Sequence, residues 1–257
     1  MKKTTKKLTT VVAVLLILVL MTSSIVSGTL AKFVITKSTE TNVTFTQFGV
    51  TVTFTPSTTQ SIVGDATTNG DTVTYAARNI TMKPGDDYSQ ALTIGISGTP
   101  NVDVRVTLTA TIDYNDANFK VLNSDFDAIN VDTVYMPIGF KVGSNYATNA
   151  TPYKSFTNFS TSPTDVQLTN ALGTAIQAKT TGLTYSNTTH SLTGEFGPNK
   201  TNKTINIPSF TTGFDWPMEY GTVANSDAIG TYLCSQTTAP SFSITYSVTV
   251  EQIGSGS

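Results

Sequence analysis

The segment Phe242-Ser-Ile-Thr-Tyr-Ser-Val-Thr-Val250 places an apolar residue at every even position and a hydroxyl residue at every odd one. Side chains of a β-strand point alternately to opposite faces, so this pattern predicts a strand with one buried and one solvated face. The segment Val102-Asp-Val-Arg-Val-Thr-Leu108 repeats the alternation, again with its apolar residues at even positions. Long strands of this kind predict an antiparallel sheet with one face against a core.

Similar alternation or short apolar runs extend along the chain. Further strands are predicted at 43–45, 48–54, 72–75, 91–96, 102–112, 134–142, 204–207 and 242–253. The apolar positions are odd-numbered up to Phe45 and even-numbered from Phe48 onward. Because a one-residue slip turns the opposite face toward the core, a bulge or a new strand is predicted near residues 47–49.

Turns and short helices separate these strands. Turn residues cluster at 68–71, 83–86 and 98–101. A short helix or ordered loop is predicted at 116–129, and the stretch 143–161, rich in Asn, Thr and Ser, is predicted to be surface loop. A second helix is predicted to begin near Pro163, with apolar residues on one side and Gly173 weakening it. The apolar residues of that side are Leu168, Leu172, Ala175 and Ile176.

The fold class that follows is all-β. With no fixed-period repeat and no linker, the chain is predicted to form a single antiparallel β-sandwich whose middle contains loops and short helices.

The first 31 residues have the three regions of a secretory signal peptide. Four lysines within the first seven residues precede an 11-residue apolar run at 11–21 and a small, polar stretch that ends at Ala31. A membrane-spanning helix needs roughly 20 residues, so the run suits a signal-peptide helix. Small Ala31 at −1 and Thr29 at −3 predict cleavage between Ala31 and Lys32, with an uncleaved anchor as the alternative. The predicted domains are therefore a signal peptide at 1–31 and one β-sandwich at 32–257.

The composition argues against charged partners and excludes stabilisation by an intramolecular disulfide. Charged residues make up 12% of the chain and the formal net charge is −2, so no electrostatic driving force favours nucleic acid or an anionic membrane. Cys234 is the only cysteine, which rules out an intramolecular disulfide. We expect Cys234 to be a small buried apolar residue rather than a reactive thiol.

Catalytic and metal-binding motifs are missing from the sequence. His190 is the only histidine and lies in a polar stretch, so an H-E-x-x-H zinc site is excluded and a Ser-His-Asp triad has no matching nucleophile motif. A solvated loop histidine is the expected state of His190. The carboxylates between Asp113 and Asp132 lack calcium-loop spacing and are expected to form a solvated acidic loop. We therefore expect no enzyme activity, no catalytic residues, no cofactor and no metal.

Three segments in order along the chain carry a further signal. The signal-peptide junction reads Gly28-Thr-Leu-Ala-Lys-Phe33, the segment Ile80-Thr-Met-Lys-Pro-Gly-Asp86 forms a turn before a strand, and the strand that begins at Phe242 closes with Gln252. These segments resemble, respectively, the G-T-x-A-x-F junction, the L-K-P-G-D turn and the closing strand of TasA/camelysin-type exported proteins of Gram-positive bacteria. The middle of the chain, 115–240, has no obvious match.

The resemblance implies both a fold and a mode of assembly. It implies a jelly-roll β-sandwich, released by a dedicated signal peptidase, that polymerises with copies of itself into biofilm-matrix fibres by donor-strand complementation. Residues 32–41 would be the donor strand, with Phe33, Val34 and Ile35 as candidate anchors; they begin an apolar-to-polar segment without a turn residue. The expected location is extracellular, in the matrix or at the cell surface, with no membrane contact after cleavage. The peptidase activity described for some relatives is not expected, given one histidine and no zinc motif.

Two alternatives remain open from the sequence. Residues 33–35 could instead fold back as the edge strand of their own subunit. The chain could also be a monomeric secreted or cell-surface binding module, an adhesin or carbohydrate-binding sandwich that uses the loops between residues 113 and 221. An exported hydrolase is disfavoured by the scarcity of His, Cys and Glu.

Overall fold

The computed structural model describes residues 41–45, 48–57, 64–114, 133–152, 154–157, 164–219, 226–236 and 240–254, which all belong to one compact unit, Thr39–Ser257. The strands are β1 (Thr41–Phe45), β2 (Val50–Pro56), β3 (Gly64–Asn69), β4 (Thr72–Thr81), β5 (Asp87–Gly98), β6 (Val104–Tyr114), β7 (Thr133–Met136), β8 (Gly139–Val142), β9 (Asn145–Tyr146), β10 (Lys154–Thr157), β11 (Thr184–Ser186), β12 (Ser191–Phe196), β13 (Ile205–Asp215) and β14 (Ser241–Gln252). The helices within these ranges are α1 (Thr164–Gln177) and α2 (Ser226–Ser235).

Two six-stranded sheets form the sandwich. The first sheet has the order β1-β2-β5-β13-β8-β9 and the second has the order β11-β12-β6-β14-β4-β3, while β7 and β10 form a separate pair. Every pairing of these strands is antiparallel. Successive long strands alternate between the sheets, because β4, β6, β12 and β14 lie in the second and β5, β8 and β13 in the first. The predicted all-β, jelly-roll-like antiparallel sandwich is confirmed.

The core lies between the sheets and is built by the period-two positions. In β14 the even residues from Phe242 to Val250 are at most 3% exposed, while the odd residues are half-exposed. Aromatic rings from the two layers contact each other. Phe214 of β13 packs edge-on against Phe242 of β14, with 4.8 Å between the ring centroids, and Phe54 of β2 stacks on Tyr75 of β4, with 6.0 Å between the centroids. Burial of these side chains supplies the main stabilisation of a domain without a disulfide.

The outer face of the second sheet explains the abundance of threonine. Cross-strand hydroxyl pairs lie there between β4 and β14, with Thr72 Oγ1 2.8 Å from Thr249 Oγ1 and Thr74 Oγ1 2.8 Å from Ser247 Oγ. At one end, Arg105 of β6 donates to Glu195 of β12 and to Glu251 of β14, the residues directly opposite it in the ladder. Such pairs suit a wet, pleated surface and contribute modestly to stability.

The slip in the N-terminal pattern marks a new strand. β1 ends at Phe45 and β2 begins at Val50, with Phe48 and Gly49 in a turn between them. Gly49 has φ 67°, and a Cβ there would also press against the backbone oxygen of Thr99. The prediction of a new strand near residues 47–49 is thus confirmed.

Helix α1 covers an edge of the second sheet. Its predicted apolar side is confirmed, since Leu168, Leu172 and Ile176 are fully buried. β12 pairs with β6 only as far as Thr109. Beyond that point the helix side chains replace the missing strand: Ile112 N donates to Thr169 Oγ1 at 3.3 Å, and Tyr114 N donates to Asp165 Oδ1 at 2.8 Å.

Parts of the middle differ from expectation. The single strand predicted at 134–142 is two strands, β7 and β8, because Pro137 interrupts the run. The predicted loop at 143–161 contains β9 and β10 and two fully buried alanines, Ala147 and Ala150. The helix or loop predicted at 116–129 lies outside the described residues.

The expectation for Cys234 is wrong, because this residue is exposed. Helix α2 buries Ile229 and Leu233, one turn apart, and Cys234 follows on a different side. Partial desolvation of the sulfur beside the helix and the nearby charge of Asp86 nevertheless raise the pKa of the Cys234 thiol, which disfavours the thiolate. Within the described ranges, no helix combines the length and apolarity needed to cross a bilayer.

Candidate assembly edges

The residues that the sequence singled out for export and assembly precede the first described strand. Ala31, Lys32, Phe33, Val34 and Ile35 lie outside the described residues. The segment 32–40 leads directly into β1, so β1 is the point at which it joins the sandwich.

β1 forms the border of the first sheet. It pairs along its whole length with β2, from Thr41 opposite Phe54 to Phe45 opposite Val50. On its other side no strand pairs with it in the part of the chain that the structure describes. An edge strand of this kind presents backbone N–H and C=O groups that another extended segment can pair with.

β3 forms the border of the second sheet on the same side of the sandwich. Because β2 stacks on β4 through Phe54 and Tyr75, the outer neighbours of these strands, β1 and β3, flank one seam between the layers. The inward positions of β3 carry only small residues, Gly64, Ala66 and Thr68, and all three are half-buried. On the β3 side, the seam is therefore bordered by small side chains only.

Tyr75 and Thr68 define the chemistry of this seam. A Cβ at residue 64 would overlap the Tyr75 ring, so glycine there makes room for the tyrosine. Burial raises the pKa of Tyr75, and its phenol stays neutral at ordinary pH. Thr68 Oγ1 is buried and has no hydrogen-bond partner among the described residues. Apolar or hydroxyl-bearing groups are thus the chemical types that fit against the seam.

The opposite borders of the two sheets are covered by side chains and loops. Beside β8, the loop after β9 returns to the sheet, with Ala147 N donating to Phe140 O at 2.8 Å and Phe140 N donating to Ala150 O at 2.9 Å. Beside β12, the three-residue β11 donates a hydrogen bond to helix α1, from Tyr185 N to Gln177 Oε1 at 2.8 Å. The β1–β3 side is consequently the better candidate for strand addition.

His190 lies in the turn between β11 and β12, as expected for a loop residue, but it is held rather than freely solvated. It is half-buried with φ 51°, and its Nδ1 lies 2.8 Å from Asn170 Oδ1 on helix α1. Asn170 Oδ1 also accepts a hydrogen bond from Tyr185 Oη at 2.8 Å. This network ties the turn to the helix. Among the described residues, no cluster of three or more His, Cys, Asp or Glu side chains is placed to bind a metal ion.

No family model, curated protein or solved structure matches this chain.

Sequence reasoning missed the β3 border because its residues, Gly64-Asp-Ala-Thr-Thr-Asn69, have no hydrophobic alternation. One signal was available, since the predicted turn at 68–71 with Gly70 requires a strand on each side. The structure confirms that turn as the β3–β4 hairpin, with Gly70 at φ 58°.

Proposed function

We propose that this protein is an exported structural subunit that assembles head to tail into extracellular fibres, with the N-terminal segment of one copy adding a strand to the β1–β3 side of the next. The resemblance to TasA/camelysin-type proteins suggests this function. The observation that carries it is the position of β1, a border strand that is entered directly from residues 32–40.

The energetics of strand addition suit such a segment. An extended donor would pair its backbone with an edge strand and place alternate side chains against the core. Phe33 and Ile35 would share the inward face, and each contributes about 1.5–3 kcal/mol when fully buried. Ordering the segment opposes this gain, so both anchors are needed. Since donor and acceptor surfaces differ, the contact is heterologous and propagates into a filament rather than closing as a dimer.

Export would control the assembly. Before cleavage, Lys32 is continuous with the apolar signal segment at 11–21, which holds the donor at the membrane. Cleavage after Ala31 would free the donor only after the chain has crossed the membrane. Signal peptidase is then the partner that starts polymerisation, and further copies of the protein are the partners that sustain it.

The test compares purified chains that start at Lys32 and at Thr41, using size-exclusion chromatography and negative-stain microscopy. The longer chain should form filaments and the shorter should remain monomeric with an unchanged circular dichroism spectrum. Identical filaments from both chains would refute donor-strand exchange through this segment.

Matched substitutions test which face of the donor is inward. Phe33→Ser with Ile35→Ser should abolish filaments, whereas Val34→Ser, on the opposite face of an extended segment, should weaken them much less. A chain from Lys32 that stays monomeric at high concentration would instead favour a secreted binding module.

A further inference from the structure

A compact polar cluster lies on the first sheet, away from the β1–β3 side. Lys141 Nζ of β8 is 2.6 Å from Asp215 Oδ2 at the end of β13. Tyr146 Oη of β9 donates to the same oxygen at 2.7 Å, and Lys141 Nζ donates to Ser89 Oγ of β5 at 3.0 Å. Ser89 Oγ in turn donates to Asp87 Oδ1. Four neighbouring strands thus place an amine, a carboxylate, a phenol and a hydroxyl–carboxylate pair together.

The sheet register brings the amine and the carboxylate together. Lys141 pairs with Gly213 and Asp215 pairs with Gly139, so the two side chains are diagonal neighbours on one face of adjacent strands. Asp215 is also directly opposite Asp87 in the ladder between β13 and β5. The cluster is therefore set by backbone pairing rather than by flexible loops.

Tyr146 shields the cluster from solvent. A Cβ at residue 139 would overlap the Tyr146 ring, so glycine at this position lets the ring approach the sheet closely. Lys141 Nζ lies 4.7 Å from the centroid of that ring. The side chains of Lys141 and Asp215 are only 15% and 11% exposed. The Lys141 amine and the Asp215 carboxylate are thus held in contact in a largely water-excluded site.

The ion pair itself is incompletely satisfied. Asp215 Oδ1 is buried and accepts no hydrogen bond from any residue that the structure describes. A buried carboxylate oxygen without a donor is costly, because the charge has lost its hydration. An amide carbonyl at the same place carries much less charge, and its neutral nitrogen needs no counter-ion. Conversion of the pair into an amide would remove both buried charges.

We propose that Lys141 and Asp215 condense into an intramolecular amide cross-link between β8 and β13. The Nζ–Cγ bond forms, the Cγ–Oδ2 bond breaks, and Oδ2 leaves as water with two of the three ammonium protons. The third proton remains on the new amide nitrogen, and Oδ1 becomes the amide carbonyl oxygen. The condensation needs no oxidant, reductant or activating co-reactant, because the two groups are already in contact.

The surrounding residues have distinct roles in this step. Ser89 links the amine to the Asp87 carboxylate, and this relay can take a proton from Nζ to expose its lone pair. The hydrogen bond from Ser89, with a smaller contribution from the charge of Lys141, lowers the pKa of Asp87 and keeps it ionised as the acceptor. Tyr146 donates to Oδ2, the oxygen that departs, and so assists its loss.

The cross-link would take the place of a disulfide. The chain has one cysteine and no intramolecular disulfide, yet it is predicted to be exported. An amide between residues 141 and 215 closes a long loop covalently, which restricts the unfolded chain in the same way as a disulfide. Unlike a disulfide, it is insensitive to reduction. The inference rests on the sandwich alone and holds whether or not the protein forms fibres.

The decisive measurement is the intact mass of the purified protein under denaturing conditions. It should be lighter by one water than the mass of its sequence, and proteolysis should yield one branched peptide that contains both Lys141 and Asp215. An unmodified mass, with both residues recovered in separate linear peptides, would overturn the proposal and leave an ordinary salt bridge.

A second ion pair in the same chain provides an internal control. Lys200 Nζ lies 2.9 Å from Glu195 Oε2, but the Glu195 side chain is 37% exposed. This pair should appear in unmodified linear peptides. If the peptides that contain Lys200 and Glu195 are also joined with the loss of one water, proximity alone explains the reaction, and the proposed role of the shielded cluster is wrong.

Three substitutions distinguish the chemistry from packing. Lys141→Arg keeps the charge and should give full mass, whereas Asp215→Asn should lose ammonia instead of water. Ser89→Ala should lower the cross-linked fraction of freshly folded protein while leaving the product unchanged on long incubation. If Asp215→Asn keeps its full mass although wild type is lighter by one water, the bond between these two residues is assigned wrongly.

Discussion

Helix α1 serves as the missing neighbour of β6, and this role is open to a direct test. Thr169→Val removes one acceptor without changing side-chain shape, and Asp165→Ala removes the other. Loss of the buried partner of the Ile112 amide costs about 1–3 kcal/mol, and loss of the charged partner of the Tyr114 amide costs about 1.5–3 kcal/mol. The double variant should therefore lose about 2.5–6 kcal/mol of unfolding free energy.

Urea denaturation measures this loss, and hydrogen exchange locates it. The amides of Ile112 and Tyr114 should exchange faster in the double variant, while amides in the middle of β14 should lose only the protection that follows from lower global stability. Gln167→Ala, at an exposed position of the same helix, is the control and should change stability by less than about 0.5 kcal/mol. If the double variant stays within that margin and both amides keep their protection, the side chains do not replace a strand.

Three further outcomes are expected. Phe214→Ala should lower the free energy of unfolding by about 3–5 kcal/mol, because the ring is 1% exposed and packs edge-on against Phe242. Urea denaturation measures this change, and a decrease under about 1 kcal/mol would contradict the packing. Burial raises the pKa of Tyr246, so the stability that its neutral phenol contributes is complete below the unfolded pKa of about 10 and is lost as the pH rises above that value. Tyr246→Phe should therefore make the free energy of unfolding fall less steeply at alkaline pH. An unchanged slope would contradict this assignment. Gly173→Ala should destabilise despite its better helix propensity, since a Cβ there overlaps the Tyr185 ring, and combination with Tyr185→Ala should relieve that clash in thermal unfolding.

The strands that the sequence predicted are those whose inward residues are large. β2, β6 and β14 bury Val, Ile, Leu, Phe or Tyr at alternate positions, and this pattern is visible without any structure. β3 escaped prediction because an edge strand beside a large tyrosine carries Gly64 and Ala66 instead. Helix α1 was predicted from its apolar stripe, although the reason for its glycine became apparent only from the tertiary contact with Tyr185.

The candidate sites were harder to predict than the fold. The anchors at 33–35 were proposed from position and resemblance, and they remain predictions. The pairing of Lys141 with Asp215 depends on the register between β8 and β13. The position of Asp215 opposite Asp87 depends on a separate irregularity between Thr212 and Phe214 in the pairing of β13 with β5. A sequence pattern does not specify such a register across a long chain separation, so the cluster could be recognised only in the folded molecule.

The central position of β14 has a consequence for the order of folding. β14 lies between β6 and β4, so the second sheet has no middle until residues 241–252 have been synthesised and delivered. Its partners precede it by more than a hundred residues, and contacts of such long range make folding slow. In a nascent chain that lacks β14, the edges of β6 and β4 that flank it in the folded sheet have no strand to pair with. The strand that completes the sheet thereby also sets the time at which the protein can first become compact.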